Sequence, residues 1–330
     1  MPVMTGDAQA TAVAHVNVAL VKYWGKRDAE LVLPCTGSLS MTLDAFWTTT
    51  TVRFCAEAGD DQVTLDGVPL AGGPRRRVTE FLDLVRSRTG RIGKAVVDSA
   101  NTVPTGAGLA SSSSGFAALA MAASSAGGLD LDATALSRLA RRGSGSASRS
   151  VFGGFALWHA GQDDASSYAE PVPSAGFEPV MVVALVDTGH KSVHSRDAMQ
   201  RTVESSPLYW AWADSAAVDL TQMRCAVARG DLDAVGEIAE RNALGMHATM
   251  LAARPAIRYL APATVAVLDS VLELRRAGVS AYATMDAGPN VKVLCHRADA
   301  DVVAEAVSAS AGCPTAVAGV GPAARLVVKP

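Results

Sequence analysis

The chain has 330 residues, 49% of them hydrophobic, and a formal net charge of −3; this supplies ample material for a core and excludes extended disorder. The near-neutral balance also excludes a general polyanion-binding surface, so nucleic acid is not an expected partner and any phosphate recognition must be local. Five scattered cysteines (Cys35, Cys55, Cys225, Cys295, Cys313) form no C-x-x-C pair and no signal-peptide pattern or long apolar run is present, so we expect a reducing, cytoplasmic setting with no membrane partner.

Residues 12–21 are apolar, β-branched and roughly alternating, which predicts a strand. It leads into Lys22-Tyr23-Trp24-Gly25-Lys26-Arg27-Asp28. Three cations and two aromatics at a strand end are placed to meet an anion; the plainer alternative is a solvated turn whose aromatics cap the core, and Trp24 reads as packing. Residues 39–43 and 48–54 predict two further strands, and 62–70 a hairpin about Asp66-Gly67. Residues 75–88 predict an amphipathic helix with Val78, Phe81, Leu82 and Val85 on one side. Its start, Arg75-Arg76-Arg77, reads as a solvated face. A short strand over 95–99 follows.

Residues 104–115, Pro-Thr-Gly-Ala-Gly-Leu-Ala-Ser-Ser-Ser-Ser-Gly, run into an Ala/Leu-rich helix over 116–123. Free N–H groups and the positive dipole end of a helix start bind anions, so this stretch reads as a phosphate-cradling loop. Gly106 and Gly108 would let phosphate approach the backbone. Amides of Gly108, Leu109, Ala110 and Ser111 to Ser114 would do most of the binding, with Ser112 and Ser113 the favoured side-chain contacts. It lacks the Gly-Lys-Ser/Thr of a Walker loop and fits the dinucleotide fingerprint poorly. By itself such a stretch is as often a linker or an ordinary helix cap.

A helix over 136–140 delivers a second Gly/Ser nest, Arg141-Arg-Gly-Ser-Gly-Ser-Ala-Ser-Arg-Ser150, followed by a strand over 154–158. Arg141 and Arg142 read as helix-end cations that favour the dipole. Residues 161–178 are polar, acidic and contain Pro and Ser, which predicts a surface connection and a boundary between parts 1–178 and 179–330. Beyond it we predict a buried strand over 179–186, a polar loop over 187–196 and helices over 207–229, 232–253 and 263–277. Strands at 280–285, 291–295 and 324–328, with a helix at 300–311, complete the chain. This irregular mixture predicts an α+β fold rather than a doubly wound sheet.

Five blocks, residues 17–28, 104–115, 143–150, 191–199 and Asp286-Ala-Gly-Pro-Asn290, together resemble the GHMP small-molecule kinase superfamily and, within it, the diphosphomevalonate decarboxylase family. The resemblance implies two lobes about a deep cleft, the first similar to domain 2 of ribosomal protein S5. It implies ATP with Mg2+ at the Gly/Ser loop, (R)-5-diphosphomevalonate opposite, and a homodimer. The reaction it implies yields isopentenyl diphosphate, ADP, phosphate and CO2. Residue by residue, it implies that Asp286 orients or deprotonates the substrate hydroxyl and that Arg149 grips the substrate carboxylate. Lys22, Tyr23 and Lys26 would lie near the diphosphate and reacting end, Ser144 and Ser146 in the nest holding substrate oxygens, and Ser195 and Arg196 at the diphosphate. Lys191 would fall in a loop near the nucleotide phosphates and metal.

Ser148 stands where the family usually has cysteine, His194 where serine is usual and Gly106 where alanine is frequent; these touch affinity more than reaction type. His247 could approach the cleft, whereas His15, His159 and His296 read as structural or surface residues. No metal-ligand spacing is present, so Mg2+ is expected to arrive with ATP. The rival readings are a phosphomevalonate decarboxylase, a mevalonate 3-kinase and a non-catalytic ligand sensor of the same fold. Asp286 and Lys22 together argue against the last two.

Overall fold

The computed structural model describes residues 8–55, 59–90, 93–102, 111–187 and 193–327. β1 (Ala8–Val21) is buried without interruption from Ala12 onward, so both of its faces are covered. A small ribbon of β2 (Lys26–Asp28) and β3 (Leu33–Pro34) follows. Next comes β4 (Ser38–Cys55), which pairs antiparallel with β1 from Ala8↔Phe54 to Val21↔Leu39. The two strands predicted over 39–43 and 48–54 are therefore one. The pairing register slips between His15 and Asn17, where the intervening β4 residues, from Leu43 to Phe46, bulge.

β5 (Gln62–Leu65) and β6 (Val68–Pro69) form the predicted hairpin. Asp66 and Gly67 sit at φ 52° and 77°, the left-handed pair that a tight two-residue turn requires. α1 (Gly72–Thr89), β7 (Lys94–Asn101), α2 (Ser111–Gly127) and α3 (Ala133–Gly143) follow. The first sheet runs β14-β1-β4-β7-β5-β6, where β14 is Arg325–Leu326, with β8 (Phe155–Trp158) beside β4 and β9 (Ala169–Val172) beside β8. Its pairs are antiparallel except β5 with β7. Alanines of α2 at 117, 118, 120, 122 and 123 are wholly buried, and their small side chains let the helix lie close on β1 and β4.

β9 corrects one expectation. The 161–178 segment is more than a surface connection, because Ala169 and Val172 are buried on the sheet. Its polar and Pro-containing composition hid a four-residue edge strand.

The later half contains β10 (Val180–Ala184), α4 (Ser195–Ser205), α5 (Tyr209–Arg229), α6 (Leu232–Leu251) and α7 (Pro262–Arg276). β11 (Ala281–Met285), β12 (Val291–Cys295), α8 (Ala300–Ala311), β13 (Thr315–Ala318) and β14 (Arg325–Leu326) complete it. The second sheet is antiparallel, in the order β11-β12-β10-β13. β14 returns to the first sheet and pairs with β1. One apolar cluster joins Val16, Val18 and Leu20 of β1 to Met181 and Val183 of β10 and to Val235 and Ile238 of α6. The C-terminal end of β1 thus lies at the seam between the halves, and the residues just after it face both.

The 187–196 stretch also differs from expectation: Ser195 and Arg196 open α4 rather than ending a loop. Helices α5 to α7 fall within two residues of their predicted ends.

Candidate active site

Lys22 is the first residue past β1, Asp286 the first past β11, and Lys292 the second residue of β12. The pairing Thr284↔Lys292 brings β12 back beside the end of β11. Lys22 Nζ donates to Asp286 Oδ1 at 2.9 Å and Lys292 Nζ to Oδ2 at 3.0 Å. The lysine side chains are 2% and 1% exposed, while Asp286 is 23% exposed, so the carboxylate keeps one side open. Burial by itself would raise the pKa of Asp286, but the two ammonium groups overcome it and hold the carboxyl far below its usual range. Burial pushes Lys22 down to about 8 and Lys292 adds to the fall, with Asp286 opposing both.

A buried hydrogen-bond chain sets the backbone here. Lys22 N donates to Asn242 Oδ1 at 2.8 Å, and Asn242 Nδ2 donates to Asp219 Oδ2 at 2.9 Å. Arg241 Nε closes the chain on Asp219 Oδ1 at 2.9 Å. His247 Nε2 lies 3.1 Å from the backbone oxygen of Asp286 and must be the donor, since a carbonyl only accepts. Burial, then Lys22, pushes this histidine down to about 4, so it is neutral at ordinary pH.

Arg149 ends the second Gly/Ser nest and is 2% exposed. Its guanidinium donates to Ser38 Oγ and, at 3.3 Å, to Asn17 Oδ1. Asn17 in turn donates to Ser146 O at 2.9 Å and Ser150 Oγ at 2.7 Å. Burial pushes Arg149 down to about 10, with the Asp286 charge opposing. Arg149 Nε and the Tyr23 hydroxyl are buried without hydrogen-bond partners among the described residues. Tyr23 stands edge-on to Trp158 at 4.7 Å, and a Cβ on Gly145 would come within 2.7 Å of the tyrosine ring, which is why the nest needs glycine there.

The first turn of α2 meets this nest: Ser112 Oγ lies 3.3 Å from Ser144 Oγ, which lies 3.5 Å from Ser146 Oγ. Ser111 and Ser112 are exposed and Ser113 is buried. Ser114 turns inward, with its Oγ 2.7 Å from Thr48 Oγ1 on β4, so its hydroxyl anchors the helix to the sheet. Gly106, Gly108, Leu109, Ala110 and Lys191 lie outside the described residues.

Beside the nest is a cavity of about 330 Å3 lined by Lys26, Arg77, Arg142 and Arg196, with Glu30 and Glu80 also on its wall. Burial and then Arg196 and Arg77 push Lys26 down to about 8. Arg77 overturns the reading of Arg75 to Arg77 as a solvated face. Its guanidinium donates to Gly143 O at 3.1 and 2.6 Å and lies 4.4 Å over the Phe116 ring. Arg141 is not an ordinary helix-end cation either: it is wholly buried and donates to Leu31 O at 3.1 Å and to Asp164 Oδ1 at 2.5 Å. Arg142 lines the cavity with its Nε unpartnered. Sequence reasoning also missed Lys292 and Asn242. A lone lysine inside the apolar run Val-Lys-Val-Leu-Cys was the available signal for the first.

Lys22, Lys292, Arg149 and Asp286 sum to two positive charges in a buried setting, which calls for an anionic ligand. Among the described residues no group of three or more His, Cys, Asp or Glu converges. Asp286 is already engaged by two lysines, so the donor set suits a metal brought in on phosphate oxygens.

The chain has the GHMP kinase fold, with a helix-start nest at α2 and a lysine-held carboxylate at the end of β11. The diphosphomevalonate decarboxylase-like N-terminal domain profile matches residues 14–169, and the mevalonate 5-diphosphate decarboxylase C-terminal domain profile matches 181–320. The chain belongs to the diphosphomevalonate decarboxylase family. It is 37% identical to diphosphomevalonate decarboxylase mvd1 of Aspergillus fumigatus, over 92% of this chain and 81% of the relative. It is 33% identical to the phosphomevalonate decarboxylase of Haloferax volcanii, over 97% and 98%. A solved structure of MDDEF in complex with MVAPP, AMPPCP and magnesium matches with TM-score 0.94 and 45% identity, covering 98% of this chain and all of that one.

Proposed function

We propose that the chain catalyses the ATP-dependent decarboxylation of (R)-5-diphosphomevalonate to isopentenyl diphosphate, ADP, phosphate and CO2. The observation that carries this is the Asp286 carboxylate, held between Lys22 and Lys292 and partly exposed, in a chain where the start of α2 meets the nest of Ser144 and Ser146. The MDDEF complex with MVAPP, AMPPCP and magnesium supports the same ligands here.

The substrate's tertiary 3-hydroxyl is a poor leaving group, and transfer of the γ-phosphoryl of ATP makes it a good one. A carboxylate held far below its usual range is a weak proton acceptor, so Asp286 serves first by orienting the hydroxyl for in-line attack. Phosphoryl transfer with a loose transition state asks for little more; as the new O–P bond forms the hydroxyl becomes strongly acidic, and its proton passes to the Asp286 carboxylate and from there to solvent. The C3–O bond then breaks with its electron pair on phosphate. Positive character at C3 is met by the electrons of the C1–C2 bond, which become the double bond as CO2 departs. Arg149 holds the departing carboxylate, its unpartnered Nε supplying a donor, and Ser144 and Ser146 hold substrate oxygens. Tyr23, Lys26, Ser195 and Arg196 hold the diphosphate, joined by Arg77 and Arg142 of the same cavity. The start of α2, with Ser111, Ser112 and Ser113, and the residues before it receive the nucleotide. Bound magnesium supplies charge neutralisation on the nucleotide phosphates.

The four cations of the cavity favour a diphosphate over a monophosphate. The same reading divides the chain into lobes 1–178 and 179–330, with β14 crossing back to the first sheet, and sets it in the cytoplasm. The test incubates the protein with ATP, Mg2+ and, separately, mevalonate, its 5-phosphate and its 5-diphosphate, following ADP and labelled CO2. Equal ADP and CO2 from the diphosphate alone is the expected result. The same pair from the monophosphate alone would reassign the substrate, and ADP without CO2 would make the chain a kinase.

A further inference from the structure

Lys292 has no part in the motifs that mark the family resemblance, yet it is among the most deeply buried charges described. It sits on β12, an inner strand of the second sheet whose five residues are all buried. Its Nζ reaches Asp286 Oδ2, six residues away in the same lobe. Lys22 reaches Oδ1 from the other end of the chain, 264 residues away. A buried ion pair is poor value as a stabilising device, since an apolar residue of similar size often does as well. A lysine in an otherwise apolar strand therefore points to its partner's chemistry. With one amine on each oxygen, the Asp286 carboxylate cannot turn, and the side chain is still partly exposed.

We propose that Lys292 is the positioning residue of this site: together with Lys22 on the other oxygen it fixes the plane of the Asp286 carboxylate, and it supplies that carboxylate with a counter-charge from within the same lobe. This rests on the decarboxylase reading. Lys292 acts through Asp286 and touches no substrate atom. The Asp286 charge is also faced by Arg149 from the nest, by Lys22 from the end of β1 and by neutral His247 from α6, whose contact is to the backbone oxygen. None of these bonds Oδ2.

The test compares the pH dependence of kcat for wild type, Lys292→Met and Lys292→Arg, with the mevalonate derivative that wild type turns over. For Lys292→Met we expect kcat near pH 7.5 to fall by roughly tenfold or more, with KM changed by less than about threefold. Loss of one of two counter-charges also raises the Asp286 carboxyl, so that the acid limb moves upward by roughly 1 to 3 pH units relative to wild type. Lys292→Arg keeps the wild-type limb at reduced kcat. A Lys292→Met enzyme with the wild-type limb, whatever its melting temperature, overturns the proposal, because a purely structural lysine would shift stability and not the limb. If Lys292→Met does not fold, Asp286→Asn/Lys292→Met is compared with Asp286→Asn: residual rates within about twofold support action through Asp286, and a further tenfold loss refutes it. Wild type producing neither ADP nor CO2 from any of the three substrates would refute the decarboxylase reading instead. The Asp286 titration is then read by carbon NMR of the labelled carboxyl, where removing Lys292 must raise it and an unchanged titration overturns the proposal.

Discussion

Asn242→Asp is the most informative perturbation of the frame around the site, because it is isosteric and changes one group. Asn242 is 1% exposed and Asp219 6% exposed, and the amide Nδ2 donates to Asp219 Oδ2 at 2.9 Å. The substitution sets a second carboxyl oxygen at that distance while keeping an acceptor for Lys22 N. Two like charges roughly 3 Å apart repel by about 5 kcal/mol at an effective dielectric of about 20. The pair therefore retains one shared proton to above neutral pH, while the unfolded chain releases it near the ordinary carboxyl value. The folded state then binds more protons than the unfolded state, so stability falls as pH rises. At about 1.4 kcal/mol per pH unit, the variant loses about 4 kcal/mol relative to wild type between about pH 5 and about pH 8. That is a large share of the roughly 5–15 kcal/mol of a typical domain. Urea unfolding of both proteins at the two pH values measures it. A deficit that is the same at both, or absent, would refute the reasoning that Asn242 and Asp219 share one buried hydrogen bond.

Other expectations follow from the same geometry. kcat/KM for the diphosphate should fall above about pH 8, because Lys26 and Lys22 are cationic below that value and lose their protons through it; a flat profile to about pH 9.5 would contradict this. Arg77→Met should raise KM for the diphosphate about tenfold, roughly 1.4 kcal/mol, with kcat little changed. Steady-state kinetics at fixed salt would read it, and an unchanged KM would remove Arg77 from the anion cavity. Arg149→Lys should lower kcat/KM roughly a hundredfold, since an ammonium cannot reproduce the guanidinium fork held by Ser38 and Asn17. Full activity in that variant would reject the fork.

Much of the frame was legible because it is carried by local pattern. The long helices α5 to α7 show periodic apolar positions and ends marked by Gly230, Asp231 and Pro262, so their limits lie within two residues of expectation. Asp286, Lys22, Arg149 and the two nests were proposed through motif, and the structure brings Lys22 onto Asp286 and Ser112 beside Ser144. What escaped depends on tertiary context. Arg77 and Arg141 look like surface cations on any helical wheel, and only Gly143 O and Phe116 draw the half-buried Arg77 inward while Leu31 and Asp164 hold the buried Arg141. Lys292 was lost because strand burial is decided by the neighbours, here β10 and β11 on either side. β9 escaped because two buried positions in four residues leave no period to read.

The measurement that bears most directly on the role of Asp286 is ADP and CO2 release by Asp286→Asn with the diphosphate. Because the carboxylate orients the hydroxyl for phosphoryl transfer, both products should fall together, by roughly a thousandfold or more if the lost orientation is worth about 4 kcal/mol. ADP formed at the wild-type rate, with or without CO2, would contradict that role and move Asp286 out of the first chemical step.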